Sequence, residues 1–288
     1  MRIPSNRLRD VLKFAKSELN PFYGESEIRS FYYLLCEHFL DLDKTKVIMN
    51  PDYALSESEL LKFNFAIKDL KTEKPIQYIL GKTAFYDLTF KVNEHTLIPR
   101  PETEELVHWI LEKENKELPL RILDIGTGSG CIPISLATHL PRAKIMGVDI
   151  AIEALKIAKF NNENLKTAVT FEPLDILNPQ ASPDLILDVI VSNPPYVLES
   201  EKALMKKNVL DYEPAQALFV DDKDPLLFYK KIVFFAENHL ISGGRLYFEI
   251  NEKWGTELSA LLKTHGYRHI ELKQDLHDKT RMLSAIKQ

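Results

Sequence analysis

The stretch "LDIGTGSG", residues 123–130, reads as the end of a strand followed by a turn that only glycine accommodates easily. Apolar residues lead up to Asp124, then Gly126, Gly128 and Gly130 alternate before "CIPISLATHL" opens a helix. Glycine adopts positive φ without steric cost and, lacking a Cβ, lets the backbone press its N–H groups against a ligand at a helix N-terminus. Position 131, where a dinucleotide fingerprint would set its last small residue, holds Cys131, so the spacing departs from G-x-G-x-x-G. Taken alone, the loop is also compatible with a tight strand-to-helix turn that binds nothing.

Working outward, residues 99–288 alternate helical and strand patterns: "TEELVHWILEKE", "LRILDIG", "CIPISLATHL", "KIMGVDI", "AIEALKIAKFNNENL", "VTFEPLD", "DVIVSN" and onward to "GRLYFEI" and "RMLSAIK". Strands alternating with helices of this length predict an open α/β sheet wound on both faces. Upstream, "NRLRDVLKFAKSEL", "SEIRSFYYLLCEHFL" and "SESELLKFNFAIKDLKT" carry apolar residues at three- and four-residue spacing, which predicts a small helical domain over 1–75. Between them, "GKTAFYDLTFKVNEHTLIPR" alternates in the manner of a β-hairpin, so residues 76–98 are expected as a hairpin linker.

In sheets of this kind the ligand sits at the carboxyl ends of the strands, near the point where strand order reverses. Asp149 closes "KIMGVDI", 23 residues after Gly126, where a carboxylate can accept both hydroxyls of an unmodified ribose. It is equally placed to cap the helix that follows. Asp175 closes "VTFEPLD", as an adenine-side contact or a turn residue. The apolar run "LILDVIVS" ends in Asn193, Pro194, Pro195 and Tyr196. Two prolines stop a strand and hold a rigid extended turn that presents its side chains in one pose. Arg100, Glu102 and Thr103 read most simply as an N-terminal capping group, with Pro101 in the first turn.

Composition excludes several classes. The chain has 288 residues, 45% of them hydrophobic, and a net charge of −5, without the basic excess of a protein that grips nucleic acid through phosphates. Residues 1–75 hold 12 basic and 12 acidic side chains, so that segment is no basic arm either. Cys36 and Cys131 form no C-x-x-C pair, so no disulfide framework or metal site is expected, and both thiols read as inert. No segment has signal-peptide character and no run of 18 apolar residues occurs, which predicts a cytoplasmic protein with no membrane contact.

The glycine loop, the acid at the second strand end and "NPPY" at the fourth together resemble S-adenosylmethionine-dependent methyltransferases that act on amino groups in planar conjugated systems. The resemblance narrows further. "EKPIQYILGKTAFYDLTFKVNEHTLIPRPETEELV", the helical N-terminal domain, and "NPPYV" followed by "YEPAQALF" are similar to the bacterial enzymes that methylate the glutamine amide of the Gly-Gly-Gln motif in peptide-chain release factors. It extends over nearly the whole chain and is weakest over residues 1–70. It implies a seven-stranded, mostly parallel, Rossmann-like sheet, with the helical domain docking the protein substrate. It also implies that S-adenosylmethionine lies against Gly126, Thr127, Gly128, Ser129, Gly130, Asp149, Asp175, Ile176 and Asn193. Asn193, Pro194, Pro195 and Tyr196 would then hold the substrate, with the Asn193 side-chain oxygen and the Pro194 carbonyl accepting its N–H groups and Tyr196 packing on the planar amide. Arg100, Glu102 and Thr103 would shape the pocket. The resemblance implies release factors as partners, no direct nucleic-acid contact and a monomer. A nucleic-acid amino-methyltransferase and a non-catalytic cofactor-binding module are the rival readings.

Overall fold

The computed structural model describes residues 3, 5–179 and 185–288, and the chain forms two compact units: 1–81 with 206–212, and 82–205 with 213–288.

The first unit is built from α1 (Leu8–Leu19), α2 (Glu25–Leu40), α3 (Lys44–Met49), α4 (Glu57–Leu70) and α5 (Ile76–Leu80), with α9 (Lys207–Leu210) joining from later in the chain. Leu8, Val11, Ile28, Tyr32, Phe63 and Ile67 share one core, where each fully buried side chain contributes about 1.5–3 kcal/mol. The Tyr32 and Tyr23 hydroxyls donate to the Leu8 and Leu70 carbonyls at 3.0 and 2.8 Å. Ser56 and Glu59 cap α4 reciprocally. Tyr212 donates to the Thr72 carbonyl at 3.0 Å, tying 206–212 to this unit. Residues 76–80, expected from the sequence as the start of a hairpin linker, are helical; five residues are too few for a helical period to show in the sequence.

The hairpin itself is β1 (Lys82–Phe85) with β2 (Leu88–Lys91), and it belongs to the second unit. Phe85 and Phe90 are buried in the core beneath the sheet. Asn161 accepts from Lys91 N–H at 2.7 Å and donates to the carbonyls of Lys91 and Ser129 at 3.0 and 2.9 Å, so one amide fastens the hairpin to the glycine loop.

The rest of this unit runs α6 (Pro101–Lys113), β3 (Arg121–Ile125), α7 (Cys131–His139), β4 (Lys144–Asp149), α8 (Ile152–Leu165), β5 (Thr170–Pro173), β6 (Leu187–Ser192), β7 (Val197–Leu198), β8 (Phe219–Val220), α10 (Leu227–His239), β9 (Leu240–Glu249), α11 (Gly255–Thr264), β10 (Tyr267–Gln274) and β11 (Thr280–Lys287). Seven strands form one sheet in the order β10-β11-β9-β6-β3-β4-β5. Six of the seven point the same way, and β11 alone runs antiparallel to both its neighbours. Separate apolar cores cover the two faces, which gives the doubly wound, mostly parallel architecture expected from the alternating pattern. The chain proceeds from β3 through β4 to the β5 edge and then returns to β6 on the other side of β3. The order therefore reverses at β3, opening a crevice above the carboxyl ends of β3, β4 and β6. At the opposite ends, the Arg121 guanidinium grips Asp188 with a fork at 2.8 and 3.0 Å, fixing the register of β3 against β6. Among the described residues no helix is long and apolar enough to cross a membrane.

Candidate active site

The glycine loop leaves β3 with φ of 76° at Gly126, 54° at Gly128 and 80° at Gly130, a left-handed conformation that favours glycine. The N–H groups of Gly126, Thr127, Gly128 and Gly130 are held within the protein and do not stand free for a ligand, contrary to the expectation from the sequence. Those of Gly126 and Thr127 donate to the Val148 carbonyl at 2.9 and 3.0 Å, and that of Gly130 to the Thr127 carbonyl at 2.9 Å. Gly128 N–H donates to Asp149 Oδ2 at 2.8 Å. The loop meets the crevice with its Cα side: a Cβ at Gly128 would find no atom within 4 Å, and one at Gly126 would come only to 4.0 Å from the Asn193 carbonyl oxygen.

Asp149 ends β4 and also accepts from Ala151 N–H at 2.8 Å, so it closes the turn that leads into α8, whose N-cap is Ala151 with no side-chain cap, while holding the loop. Burial pushes its carboxyl above the usual range, and the Ala151 and Gly128 N–H groups oppose that shift. Beneath the loop, Asp124 is fully buried, and neither carboxylate oxygen has a hydrogen-bond partner among the described residues. Burial pushes its carboxyl up to about 7. The Thr127 hydroxyl opposes this without reaching hydrogen-bonding geometry, and nearby Asp149 adds to the rise.

The turn after β6 is held from both ends. Ser192 Oγ donates to the Ile125 carbonyl at 2.6 Å, locking the tips of β6 and β3 together. Asn251 Nδ2 donates to the Tyr196 carbonyl at 3.3 Å. Asn193 Nδ2 donates to Thr103 Oγ1 at 3.2 Å, Thr103 donates to Glu249 Oε2 at 2.6 Å, and the Tyr196 hydroxyl donates to Glu249 Oε1 at 3.0 Å. Glu249, at the end of β9, is 1% exposed. Burial raises its carboxyl above the usual range, while the Thr103 and Tyr196 hydroxyls pull it back.

Two cavities meet at this turn. The larger, about 270 Å³, is lined by Gly126, Gly128, Asp149, Asp175, Ile176, Asn193, Pro194 and Pro195, with Ile150, Leu177 and Phe228 among its apolar walls. The smaller, about 40 Å³, is lined by Arg100, Asn193, Pro194, Tyr196 and Glu249. Asn193 and Pro194 belong to both, so the turn is their common wall.

Most residues singled out from the sequence thus converge on one rim. Thr127, Ser129 and Gly130 stand apart: the first two are buried under the loop, and Gly130 packs against Ile134, Ala158 and Phe171. Asp175 lines the larger cavity and also closes its own turn by accepting from Leu177 N–H at 2.9 Å. Thr103 is not a helix cap; its hydroxyl goes to Glu249, and Pro101 occupies the first turn of α6 without a capping side chain. Cys36 and Cys131 are buried thiols, each pushed up to about 12 by desolvation.

Two acids escaped the sequence reading. Glu249 is the lone charge in the apolar run "LYFEI", a signal that was present. Glu213 accepts from Ile98 N–H at 3.1 Å and from Arg100 at 2.6 Å, tying the segment before α6 to the segment after the turn. Local pattern gave no hint of that pairing.

A family profile described as a methyltransferase domain matches residues 117–280, and one described as the PrmC N-terminal domain matches residues 10–81. The release factor glutamine methyltransferase of Flavobacterium psychrophilum is 46% identical, covering 93% of this chain and 94% of that protein. The protein of the same name from Bacteroides thetaiotaomicron is 42% identical over 96% of this chain and 98% of its own, and that of Bacillus subtilis 35% identical over 96% of each. Among solved structures, a human methyltransferase 10 domain containing protein superposes with a TM-score of 0.51 at 19% identity, covering 70% of this chain and 90% of that one. The hMettl16 catalytic domain gives 0.54 at 17% identity, covering 80% and 82%. These two share the fold.

Proposed function

The chain belongs to the release factor glutamine methyltransferase family, and on that premise we propose that it transfers a methyl group from S-adenosylmethionine to the side-chain amide nitrogen of the glutamine in the Gly-Gly-Gln motif of release factors. The observation that carries this reading is the wall shared by two cavities: Asn193 and Pro194 border a larger one suited to a nucleoside and a smaller one suited to a side-chain tip.

The larger cavity fits S-adenosylmethionine by its donor set. Asp149 stands beside Gly128 with lone pairs for ribose hydroxyls, Ile150, Ile176, Leu177 and Phe228 offer apolar faces for adenine, and Gly126 and Gly128 leave the floor free of side chains. The cofactor supplies an electrophilic methyl on a sulfonium. Everything else falls to the chain. An amide nitrogen is a poor nucleophile, because its lone pair is delocalised into the carbonyl. Asn193 Oδ1 and the Pro194 carbonyl accept the two N–H hydrogens, turn the lone pair toward the methyl and offset positive charge developing on nitrogen. Pro194 and Pro195 keep that carbonyl from rotating away, and Tyr196 offers its ring to the planar group. No residue need act as a tuned general base, since the nitrogen becomes acidic once alkylated.

The size of the smaller cavity, room for one or a few waters, favours the tip of a glutamine over a nucleobase. The net charge of −5 also speaks against the nucleic-acid reading. The helical unit docks the folded release factor, presenting the exposed Leu61 and Phe65 of α4. With release factors as substrate, the protein works in the cytoplasm. The test is incubation of the purified protein with methyl-labelled S-adenosylmethionine and a release factor, followed by peptide mapping. Label on the Gly-Gly-Gln glutamine is expected; label on nucleic acid alone, or on no substrate, overturns the reading.

A further inference from the structure

An acceptor role for Asn193 requires that its side-chain amide present oxygen, not nitrogen, to the substrate. The two ends of a carboxamide are nearly the same size, so packing alone does not choose between them. Hydrogen bonding does. An ionised carboxylate only accepts, so the 2.6 Å contact between Thr103 Oγ1 and Glu249 Oε2 consumes the single Thr103 proton. The Thr103 oxygen then has only lone pairs to offer, and Asn193, 3.2 Å away, must turn Nδ2 toward it. Oδ1 is left as the atom the amide can offer as an acceptor. The other Glu249 oxygen takes the Tyr196 hydroxyl at 3.0 Å, and the Glu249 carbonyl takes the Tyr229 hydroxyl at 3.0 Å. Thr103 is 3% exposed, so water does not readily substitute for these partners.

We propose that Thr103 is a positioning residue, keyed by the Glu249 carboxylate, that fixes the Asn193 amide with its oxygen toward the substrate. The same carboxylate also sets the Tyr196 hydroxyl, so one buried group orients both polar side chains of the turn. This inference rests on the reading of Asn193 as the acceptor of the substrate N–H.

The test is single-turnover methyl transfer to a release factor at saturating S-adenosylmethionine, with cofactor affinity measured alongside. Thr103→Val keeps the shape and removes the hydroxyl; its rate should fall at least about tenfold with cofactor affinity unchanged, as expected when a reacting group loses its orientation. Thr103→Ser restores the hydroxyl and should recover most of the rate. Adding Thr103→Val to Asn193→Ala should slow transfer no further than Asn193→Ala alone, whereas a merely structural Thr103 would add its own loss. Thr103→Ala provides a second route should Thr103→Val fold poorly. It also removes the hydroxyl that holds Asn193 Nδ2, so a loss of at least about tenfold is expected again. Parental rates in Thr103→Val or in Thr103→Ala, with Asn193→Ala slow, overturn this inference and leave the proposed function standing. A parental rate in Asn193→Ala overturns the acceptor reading itself.

Discussion

The Asp149 carboxylate holds the Gly128 N–H with one oxygen and the Ala151 N–H with the other, each at 2.8 Å. A single side chain thus fixes the glycine loop after β3 to the start of α8, so a defect at Asp149 should appear both in stability and in ligand binding. Asp149→Ala is expected to lower the stability of the cofactor-free protein by about 2–4 kcal/mol, the scale of losing two hydrogen bonds to a partly buried charge. It should also weaken S-adenosylmethionine at least about tenfold. Denaturant unfolding without ligand and titration calorimetry check the two halves; unchanged stability would remove Asp149 from the loop-holding role.

Two glycines of the loop should separate in kind. Gly130 has φ of 80°, and a Cβ there would lie 3.0 Å from Ile134 and 3.2 Å from Ala158 and Phe171, so Gly130→Ala should cost about 2–4 kcal/mol of stability. Gly128 has φ of 54° and open space around a Cβ, so Gly128→Ala should cost only about 1–2 kcal/mol from backbone strain. Its methyl borders the larger cavity, and the main loss should be in cofactor affinity. The opposite order of thermal shifts would contradict this packing.

Asp124 should make stability depend on pH in a predictable direction. Its folded-state carboxyl sits at about 7, above the usual carboxylate value, so between about pH 4 and 7 the folded protein binds more protons than the unfolded chain. Stability from this group therefore falls as pH rises through that window, by at most about 3 kcal/mol between pH 5 and 8. Asp124→Asn should remove that slope and leave the variant relatively more stable at pH 8 than at pH 5, when each is compared with the parent in urea. A parent and variant with parallel pH profiles would rule the effect out.

The Arg100–Glu213 pair should hold the rim of the smaller cavity. Glu213 is buried while Arg100 is about one-third exposed, so Arg100→Ala strands a buried carboxylate that still accepts from Ile98 N–H. A loss of about 1–3 kcal/mol is expected, less than for a fully enclosed pair because water reaches the Arg100 site. The KM for release factor should rise with cofactor affinity unchanged; a change confined to cofactor affinity would contradict the assignment of this rim to the substrate side.

Docking by the helical unit is open to a surface test. Leu61 and Phe65 are 54% and 61% exposed one turn apart on α4, so replacing both with Asp should leave the fold intact. The KM for a folded release factor should rise severalfold while a short Gly-Gly-Gln peptide is methylated as before. Equal effects on both substrates would remove this face from docking.

The sequence by itself determined the longer elements and the two strand-end motifs, because each is written in local spacing: helical period in α1, α2 and α4, alternation of helices and strands after residue 103, three alternating glycines, and two prolines after β6, whereas the five-residue α5 was too short to show a period. The architecture of the sheet followed from that order together with the requirement that both faces be buried. Only the tertiary structure decided which long-range partners complete the site. Thr103 meets Glu249 across 146 positions, Arg100 meets Glu213 across 113, and Asn161 reaches Lys91 across 70. It also decided that four of the glycine-loop N–H groups, those of Gly126, Thr127, Gly128 and Gly130, serve Val148, Thr127 and Asp149. A hydrogen bond forms by proximity and by the match of donor to acceptor, and neither leaves a periodic trace along the chain. Thr103 at the start of a helix therefore reads as a cap until folding brings a buried carboxylate to its hydroxyl.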